Sequence, residues 1–432
     1  MMRRCILLRS ILALAASIGL AGRRVFADED SGLLRRRVEE EENPFLTVSS
    51  AHVIGPTAFP KPTDTKNPQN LPLEPYLKPI SGTHRPDEDA ILLFASEYQL
   101  DTYVLFVESL RKTGYTGDVV VAIHPNDWEK QQIQNYLRSY SESAHNEPHL
   151  VVYTPKPECF NMERDHVDSS KGGSRTCQFH GLYGTKDKFS GTISPVQDPR
   201  PDRTVANIRY EIYWLMALNY NPHSWLMLVD ARDTVFQDNP FRNIPRSDPT
   251  NEGGLLYFFG ENRDATRIGL SKQNNKWIRA AYGDVIGDAL ADKPTICSGA
   301  TLGEQVALET YLRAMVVEAD ETGTVLMGSD QGFHNRLYYS AKLTNTPTIK
   351  SITVFDQGRG IVNNMGALRT KPLAEWGNGH IVKQDGEDYQ VLNWDGYVSP
   401  VVHQFDRHKE LSQYFFKKKK NEYLEAWQSR QK

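Results

Sequence analysis

From residue 90 onward, apolar and polar positions alternate in the way that is typical of β-strands connected by α-helices. Continuous apolar runs with the length of buried strands occur at residues 90–95, 119–123 and 149–153. After the first run, Leu100, Val104 and Val107 recur on one helical face, and residues 127–139 have the pattern of a second helix. This order predicts parallel strands that are covered by helices.

The next part of the chain, residues 154–203, is polar and glycine-rich, which predicts a long excursion away from the sheet. A helix is then expected over residues 204–218, where Ile208 and Ile212 lie on one side. It leads into another apolar run, residues 225–229. The sequence therefore predicts an α/β fold with a mixed, mostly parallel, Rossmann-type sheet flanked by helices.

The composition supports a globular protein and argues against a disordered chain, a collagen-like chain and a nucleic-acid-binding protein. Among 432 residues, 39% are hydrophobic and 7 Trp, 20 Tyr and 17 Phe are present, so a large buried core is expected rather than a disordered or collagen-like chain. The 50 basic and 54 acidic residues give a net charge of −4. Because nucleic-acid binders carry a strongly basic surface, we expect no nucleic-acid partner.

The first 27 residues have the features of a targeting segment. Arg3, Arg4 and Arg9 precede an apolar run at residues 11–22 that has the length of a secretory signal peptide, and a cleavage site is expected after Ala27. Two arginines lie between the run and that site, so a short uncleaved anchor or another targeting peptide are alternatives. We therefore expect the secretory pathway, in the Golgi or ER lumen, or secretion after cleavage.

Composition also divides the remainder of the chain. Residues 28–88 are acidic and then proline-rich, with nine prolines between Asn43 and Asp89, so we predict an extended stem or linker. Residues 89–416 have the size and pattern of one catalytic domain. Four consecutive lysines open a basic C-terminal tail at residues 417–432, for which a solvated helix is expected.

Only three of the four cysteines lie beyond the targeting segment: Cys159, Cys177 and Cys297. An oxidising lumen would favour a Cys159–Cys177 disulfide, whereas three reduced thiols are the plainer alternative. A zinc site that adds His166 and His180 is a further alternative, although this spacing matches no standard zinc finger. The chain has no Asn-x-Ser/Thr glycosylation site, which weakens the expectation of a luminal protein.

Candidate chemistry begins where the apolar run 225–229 ends in Asp230, Ala231, Arg232 and Asp233. In open α/β sheets, ligands bind beyond the carboxyl ends of the strands, where loops present polar groups. Carboxylate oxygens in this position suit Mn²⁺ or Mg²⁺, and such a cation neutralises a diphosphate. The alternative is an aspartate-rich turn that caps a helix.

This segment, with the residues 234–241 that follow it, resembles the Asp-x-Asp element of GT-A-type nucleotide-sugar glycosyltransferases, with the spacing Asp-x-x-Asp. Other elements resemble motifs of this class in the expected order over residues 90–410. They are Cys297, Ser298, Gly299 and Ala300 for the acceptor-side strand, Ser329, Asp330 and Gln331 for an Asp-Gln pair that opens a helix, and residues 400–408, with His403, for a late histidine.

The resemblance implies a GT-A-like fold and a metal-dependent transfer of a sugar from a nucleotide-diphosphate donor to a hydroxyl group of a glycan or glycoprotein acceptor. It implies Mn²⁺ or Mg²⁺ bound by Asp230, Asp233 and His403, and Asp330 with Gln331 as catalytic residues. The donor is expected to contact Phe94, Ala95, Ser96, Arg209, Asp230, Arg232, Ser298 and Gly299. Membrane anchoring is expected only if the N-terminal segment is retained.

Each of these residues also has an ordinary structural alternative. His403 follows an apolar strand and is either a ligand or a buried hydrogen-bonded histidine, whereas His408 is expected at the surface. Asp330 is either a sugar-site carboxylate or a helix-start residue, and Arg209 either binds phosphate or lies at the surface. Residues 94–96 form either a nucleotide contact or a plain strand end, and Cys297 is either an acceptor-side residue or a packed thiol. Residues 358–366, with Asn363 and Asn364, are expected to form a mobile or acceptor-side loop.

Two other functions are compatible with parts of the pattern. Phosphohydrolases of haloacid-dehalogenase type also place aspartates after a buried strand and follow them with Thr-Val, as Thr234 and Val235 do. They require a second aspartate two residues after the nucleophile, where this chain has Arg232. In a non-catalytic carbohydrate-binding protein on a transferase fold, the shifted carboxylate spacing would reflect lost metal binding.

Overall fold

The computed structural model describes residues 33–34, 73–142, 147–161, 166–167, 175–246, 253–344, 346–376, 382–386 and 388–431. The predicted targeting segment, residues 1–27, lies outside this part of the chain, and so does most of the predicted stem, residues 28–88. Within the described residues, no helix combines the length and apolar character that crossing a bilayer requires.

Seven strands between residues 90 and 355 form the central sheet. They are β1 (Ala90–Ala95), β2 (Asp118–Ile123), β3 (His149–Tyr153), β4 (Trp225–Val229), β5 (Gly254–Gly260), β6 (Ile296–Glu304) and β7 (Ile349–Phe355). Their spatial order is β7-β5-β6-β4-β1-β2-β3. Strand β6 runs antiparallel to both neighbours, and all the other pairs are parallel. The predicted mixed, mostly parallel sheet is confirmed.

Helices cover both faces of this sheet. They are α1 (Leu100–Lys112), α2 (Pro125–Trp128), α3 (Gln131–Ser141), α4 (Val205–Ala217), α5 (Lys272–Leu290), α6 (Gln305–Thr322), α7 (Ser329–Tyr339), α8 (Lys409–Gln413) and α9 (Lys420–Arg430). In β1, Ile91 and Leu93 pack with α1 and α3, whereas Ala90 and Leu92 face α4 and α6. Because both faces of β1 are buried, this strand is apolar throughout.

The sequence predicted strands β1, β3 and β4 with the bounds that the structure has, and α4 within one residue at each end. The single helix predicted over residues 127–139 is wrong, because the chain forms α2 and α3 instead. The carboxylate of Asp127 accepts a hydrogen bond from Lys130 Nζ at 2.7 Å and one from the backbone N–H of Glu97 at 2.6 Å. These bonds hold a short first helix against the end of β1.

Shorter strands lie outside the central sheet. One three-stranded sheet contains Leu73–Pro75, Tyr183–Lys186 and Ile193–Pro195, and another contains Lys156–Phe160, His166–Val167 and Thr176–His180. A third, which we call the small sheet, contains Thr234–Phe236, Val362–Asn364 and Val401–His403. Strands Val382–Asp385 and Asp388–Val391 form a hairpin, and Leu33–Leu34 is a two-residue strand earlier in the chain.

The predicted excursion after β3 contains a disulfide between Cys159 and Cys177, which lie opposite each other on antiparallel strands. The bridge confirms the pairing that an oxidising compartment favours. Reduced thiols and a zinc site at these two positions are both wrong, because each sulfur atom is bonded to the other. Cys297, the remaining cysteine of the domain, is a buried free thiol.

Replacing Cys159 and Cys177 together with serine is expected to lower the free energy of unfolding by about 2–3 kcal/mol. The bridge joins residues 18 positions apart, so its loss increases the conformational freedom of the unfolded chain. Urea unfolding of the oxidised protein and of the double variant measures the difference. A reductant should destabilise the wild type and leave the double variant unchanged. Equal unfolding curves for the oxidised wild type and the double variant would contradict the prediction.

The C-terminal helix α9 packs against α1. Lys420 Nζ lies 2.8 Å from Asp101 Oδ2, and Arg430 lies 2.5 Å from the buried carboxylate of Glu108. Trp427 meets Tyr136 of α3 edge to face. The segment predicted as a basic tail with a solvated helix is helical, but the helix packs against α1 and pairs its charges with Asp101 and Glu108.

Candidate functional site

Asp230 and Asp233 are held at the carboxyl end of β4 by two neighbouring strand systems. The backbone N–H of Asp230 donates to the carbonyl of Gly299 in β6 at 3.0 Å. Immediately after Asp233, the strand Thr234–Phe236 pairs antiparallel with Val401–His403, so that Thr234 lies opposite His403. The small sheet thus brings a histidine from late in the chain beside two carboxylates of the β4 motif.

These three side chains form a compact group of potential metal ligands. His403 Nε2 lies 3.7 Å from Asp230 Oδ2 and 3.8 Å from Asp233 Oδ1. One ligand atom from each residue lies within 4.8 Å of the others. His403 is fully buried, and its Nε2 has no hydrogen-bond partner among the residues that the structure describes. A buried nitrogen that has no hydrogen-bond partner among these residues and faces two carboxylates suits a divalent cation.

The charges of the group are interdependent. Burial opposes the positive form of His403, but the neighbouring Asp230, Cys297 and Asp233 hold its pKa well above the ordinary value. Burial also opposes ionisation of Asp230, yet Arg209 and His403 lower its pKa below the ordinary range. For Asp233, burial is the dominant effect and raises the pKa. Without a cation, a proton on His403 partly balances the two carboxylates.

Arg209 of α4 connects this group to Asp330 at the start of α7. One terminal nitrogen of its guanidinium contacts Asp230 Oδ1, and the other lies 2.8 Å from Asp330 Oδ2. The Ser298 hydroxyl donates to the same oxygen of Asp330 at 3.1 Å. The Arg209 side chain is 15% exposed, so it lies inside the site rather than at the surface. Burial raises the pKa of Asp330, and the charge of Arg209 opposes that shift.

Gln331 is held by protein groups at both ends of its amide. Its oxygen accepts from the backbone N–H of Ser298 at 3.0 Å and lies 3.2 Å from the Ser298 hydroxyl oxygen. Its nitrogen donates to Glu261 at 3.0 Å and to Asn274 at 3.1 Å. This network fixes the start of α7 against β6, so Gln331 acts in the structure as a support for its neighbour Asp330.

Glu261 and Asn274 were missed by the sequence analysis. Glu261 directly follows β5, so the rule that polar groups after buried strands line a site could have identified it. Asn274 has no such signal, because it lies in the first turn of α5 and its role depends on how α5 packs against α7.

Gly299 permits the close approach of the ligand group. A β-carbon at this position would lie 2.5 Å from His403 Cε1 and 2.8 Å from Asp230 Oδ2. Both distances are shorter than van der Waals contact, so a larger residue would push His403 or Asp230 away. Gly299 therefore leaves space in the site for the side chains of His403 and Asp230.

The predicted nucleotide contact at the end of β1 is divided between the two faces of the sheet. Phe94 and Ser96 line a recess with Glu97, His124 and residues of the disulfide-linked strands. The side chain of Ala95 instead packs on the opposite face, with the α1 residues. Burial and the nearby charge of Asp230 raise the pKa of Tyr98 to about 12. Tyr98, which the sequence did not indicate, is therefore close enough to Asp230 and Asp233 for their charges to raise its pKa.

Two arginines flank the carboxylates on the more exposed side. Arg232 lies 3.3 Å from Asp406 and 3.8 Å from Asp233, and half of its side chain is exposed. Arg407 contacts Asp406 and lies 3.7 Å from Asp233. Arg232 was predicted to contact the donor, whereas Arg407 was overlooked within the late-histidine motif. Both guanidinium groups have the exposure and the charge to turn toward an added anion.

Two structural expectations around the late histidine are wrong. His408 is 6% exposed and its Nε2 lies 2.8 Å from the carbonyl of Met365, because the turn after Val401–His403 directs the ring inward. Residues 362–364 are a buried strand of the small sheet rather than part of a loop, because the amides of Asn363 and Asn364 are paired inside the protein. Cys297 is packed under the site, with its sulfur 3.9 Å from His403 Nδ1.

Comparison with protein-family models and with curated proteins gives no match. Among solved structures, the chain is similar to galactosyltransferase LgtC in complex with donor and acceptor sugar analogs, with 8% sequence identity, a TM-score of 0.39, and coverage of 78% of this chain and 95% of that chain. It is also similar to the bifunctional glycosyltransferase WbbM, with 9% identity, a TM-score of 0.33, and coverage of 61% and 39%. Both of these solved structures are of glycosyltransferases.

Proposed function

We propose that this protein is a metal-dependent glycosyltransferase that moves a sugar from a nucleotide-diphosphate donor to a hydroxyl group of a glycan or glycoprotein. The observation that carries the proposal is the buried Nε2 of His403, which has no hydrogen-bond partner in the described part of the chain and lies 3.7 Å from Asp230 and 3.8 Å from Asp233. Arg209 joins this group to a second buried carboxylate, Asp330. Cation ligands and an adjacent buried carboxylate are what transfer from a diphosphate leaving group requires.

In this mechanism Asp230, Asp233 and His403 would hold Mn²⁺ or Mg²⁺, which would supply positive charge opposite the departing diphosphate. Arg232 and Arg407 stand beside the carboxylates and contribute further positive charge toward the phosphates. The remaining steps act on the sugar and the acceptor, and we assign them to Asp330.

Asp330 is fixed by Arg209 and Ser298, so its carboxylate is oriented before the substrate arrives. It stabilises the positive charge that develops on the sugar ring as the glycosidic bond to the phosphate breaks, or it accepts the proton of the attacking hydroxyl group. Gln331, Glu261 and Asn274 support the position of Asp330 through the start of α7.

We also propose that the protein acts in the secretory pathway. The Cys159–Cys177 disulfide supports this location, because such bridges persist in oxidising compartments. The segment that would direct the protein there, residues 1–27, lies outside the described residues. The non-catalytic carbohydrate-binding alternative rests on lost metal binding, and its main support, the Asp-x-x-Asp spacing, is weakened because both carboxylates lie close to His403.

A thermal-shift screen tests the proposed function. The full chain is melted with UDP, GDP, CMP and their common sugars, each with Mn²⁺ and with EDTA, because a ligand that binds the native state raises Tm. We expect one nucleotide to raise Tm only when Mn²⁺ is present, and the shift to be absent from a His403→Ala variant. If the protein is folded and none of the nucleotides raises its Tm, the result would favour the non-catalytic alternative.

Mn²⁺ affinity is expected to decrease as pH falls from about 8 to about 6, by up to about tenfold per unit below the pKa of His403. Below its pKa, His403 must release a proton before its nitrogen can bind the cation. Because neighbouring groups raise that pKa, the loss starts at a higher pH than for an ordinary histidine. Titration by electron paramagnetic resonance (EPR) of free Mn²⁺ measures the affinity. A His403→Gln variant should show a flatter dependence, and a wild-type affinity that does not change with pH would contradict the prediction.

A further inference from the structure

Asn364 lies directly behind the candidate metal ligand His403. The strand Val362–Asn364 runs parallel to Val401–His403 in the small sheet, and Asn364 is in register with His403. Asn364 has no exposed surface. A buried amide at this position must satisfy its hydrogen bonds within the protein.

Three hydrogen bonds determine how the Asn364 amide is oriented. Its nitrogen donates to the backbone carbonyls of Phe259 at 3.1 Å and Gly260 at 3.0 Å, at the end of β5. Since a carbonyl can only accept, the NH₂ group must face these two atoms. The amide oxygen is therefore on the opposite side, where it lies 2.8 Å from His403 Nδ1.

This orientation determines which nitrogen of His403 carries a proton. The Asn364 oxygen can only accept, so Nδ1 must donate to it. A neutral ring with its proton on Nε2 would instead place two acceptors against each other at 2.8 Å. The neutral imidazole therefore has its lone pair on Nε2, the atom that faces Asp230 and Asp233.

We propose that Asn364 is a positioning residue that fixes the tautomer and the ring orientation of His403 and so makes Nε2 available to a divalent cation. The inference rests on the proposed function, because it assigns a role within the same metal site. A hydrogen bond to the second ring nitrogen orients metal-binding histidines and increases their basicity. Asn364 bonds both to the end of β5 and to His403, so it links the ligand to the central sheet.

The adjacent residue provides a matched control. Asn363 is also fully buried on the same strand and forms a similar set of bonds, to Leu392, Ser399 and Gln357. Among the residues that the structure describes, the hydrogen-bond partners of Asn363 do not include His403, Asp230 or Asp233. Replacing Asn363 removes as many buried hydrogen bonds as replacing Asn364, but it leaves the histidine contact intact.

The test measures Mn²⁺ binding to the full chain by EPR, without donor or acceptor, and folding by circular dichroism. We expect Asn364→Leu and Asn364→Ala to weaken Mn²⁺ binding about 10- to 100-fold. Asn364→Asp keeps an acceptor for Nδ1 and should retain more affinity than either. Asn363→Leu should bind Mn²⁺ as the wild type does.

Each outcome separates the inference from the proposed function. Wild-type affinity in a folded Asn364→Leu or Asn364→Ala variant would overturn the role of Asn364 while leaving the metal site in place. Equal losses in the Asn363 and Asn364 variants would also overturn it, because the effect would then be general destabilisation. If the Leu variant does not fold, the Ala and Asp variants decide. A wild type that binds no Mn²⁺ would overturn the proposed metal dependence together with the inference.

Discussion

Replacing Asp233 with asparagine is expected to lower kcat/KM for metal-dependent sugar transfer by about 1000-fold or more, because the amide is a poor ligand for the cation that balances the leaving diphosphate. The same substitution should leave the metal-free protein as stable as the wild type, or more stable. Loss of activity without loss of stability distinguishes a functional carboxylate from one that supports the fold.

The stability expectation follows from the pKa of Asp233. Burial raises that pKa, and the negative charges of Asp230 and Asp406 raise it further, while His403 and Arg232 oppose the shift. A carboxyl group whose pKa is higher in the folded state contributes stability below its unfolded pKa and loses that contribution as pH rises through the folded value. At neutral pH the ionised Asp233 therefore destabilises the metal-free fold, and a neutral asparagine removes this cost.

Activity assays and melting curves with Mn²⁺ and with EDTA check both parts. We expect Mn²⁺ to raise Tm for the wild type and not for Asp233→Asn. Asp284→Asn is the control, because Asp284 is an exposed aspartate paired with a surface arginine. Full activity in the Asp233 variant would remove this residue from the site.

Replacing Arg209 with glutamine is expected to reduce both activity and stability. Without its guanidinium, Asp230 and Asp330 lose their shared positive partner inside the protein. Breaking a buried ion pair by removing one partner typically lowers the free energy of unfolding by about 3–5 kcal/mol. We expect kcat/KM to fall by about 100- to 1000-fold, because Asp330 would no longer be oriented toward the sugar.

Two comparisons define the cause of this effect. Arg209→Lys keeps the charge but replaces the two terminal guanidinium nitrogens with a single ammonium nitrogen, so its activity should lie between the wild type and the glutamine variant. The guanidinium of Arg279 also contacts two carboxylates, those of Asp284 and Asp288, but it does so at the surface. Arg279→Gln should therefore change activity and stability little. Urea unfolding and steady-state kinetics test the set. An Arg209→Gln protein with wild-type stability and rate would show that neither carboxylate depends on Arg209.

The sequence was most informative where burial imposes a simple pattern. Strands β1, β3 and β4 are buried on both faces, so their apolar runs have clear ends, and the Asp230–Asp233 motif follows directly from the end of β4. Asp330 was identified differently, through the resemblance of Ser329, Asp330 and Gln331 to an Asp-Gln pair that opens a helix, and α7 begins at Ser329.

The small sheet could not be predicted, for physical reasons. Its strands have three residues each, which is too short for a periodic pattern, and they join segments that are far apart in the chain. Asn363 and Asn364 look like loop residues because asparagine favours turns, and only the tertiary structure supplies partners for their buried amides. Contacts such as Arg209 with Asp330 likewise depend on how helices pack.

The small sheet also has a consequence for the order of folding. Asp230 to Asp233 follow β4 directly in the chain, whereas His403 takes its position only when its strand has paired with both Thr234–Phe236 and Val362–Asn364. Closing such long loops is slow compared with local pairing. A partly folded chain would therefore present the carboxylates without the histidine and retain the cation poorly. In the proposed site, tight metal retention would mark a chain whose folding is complete, so that metal content could serve as a check on newly made protein.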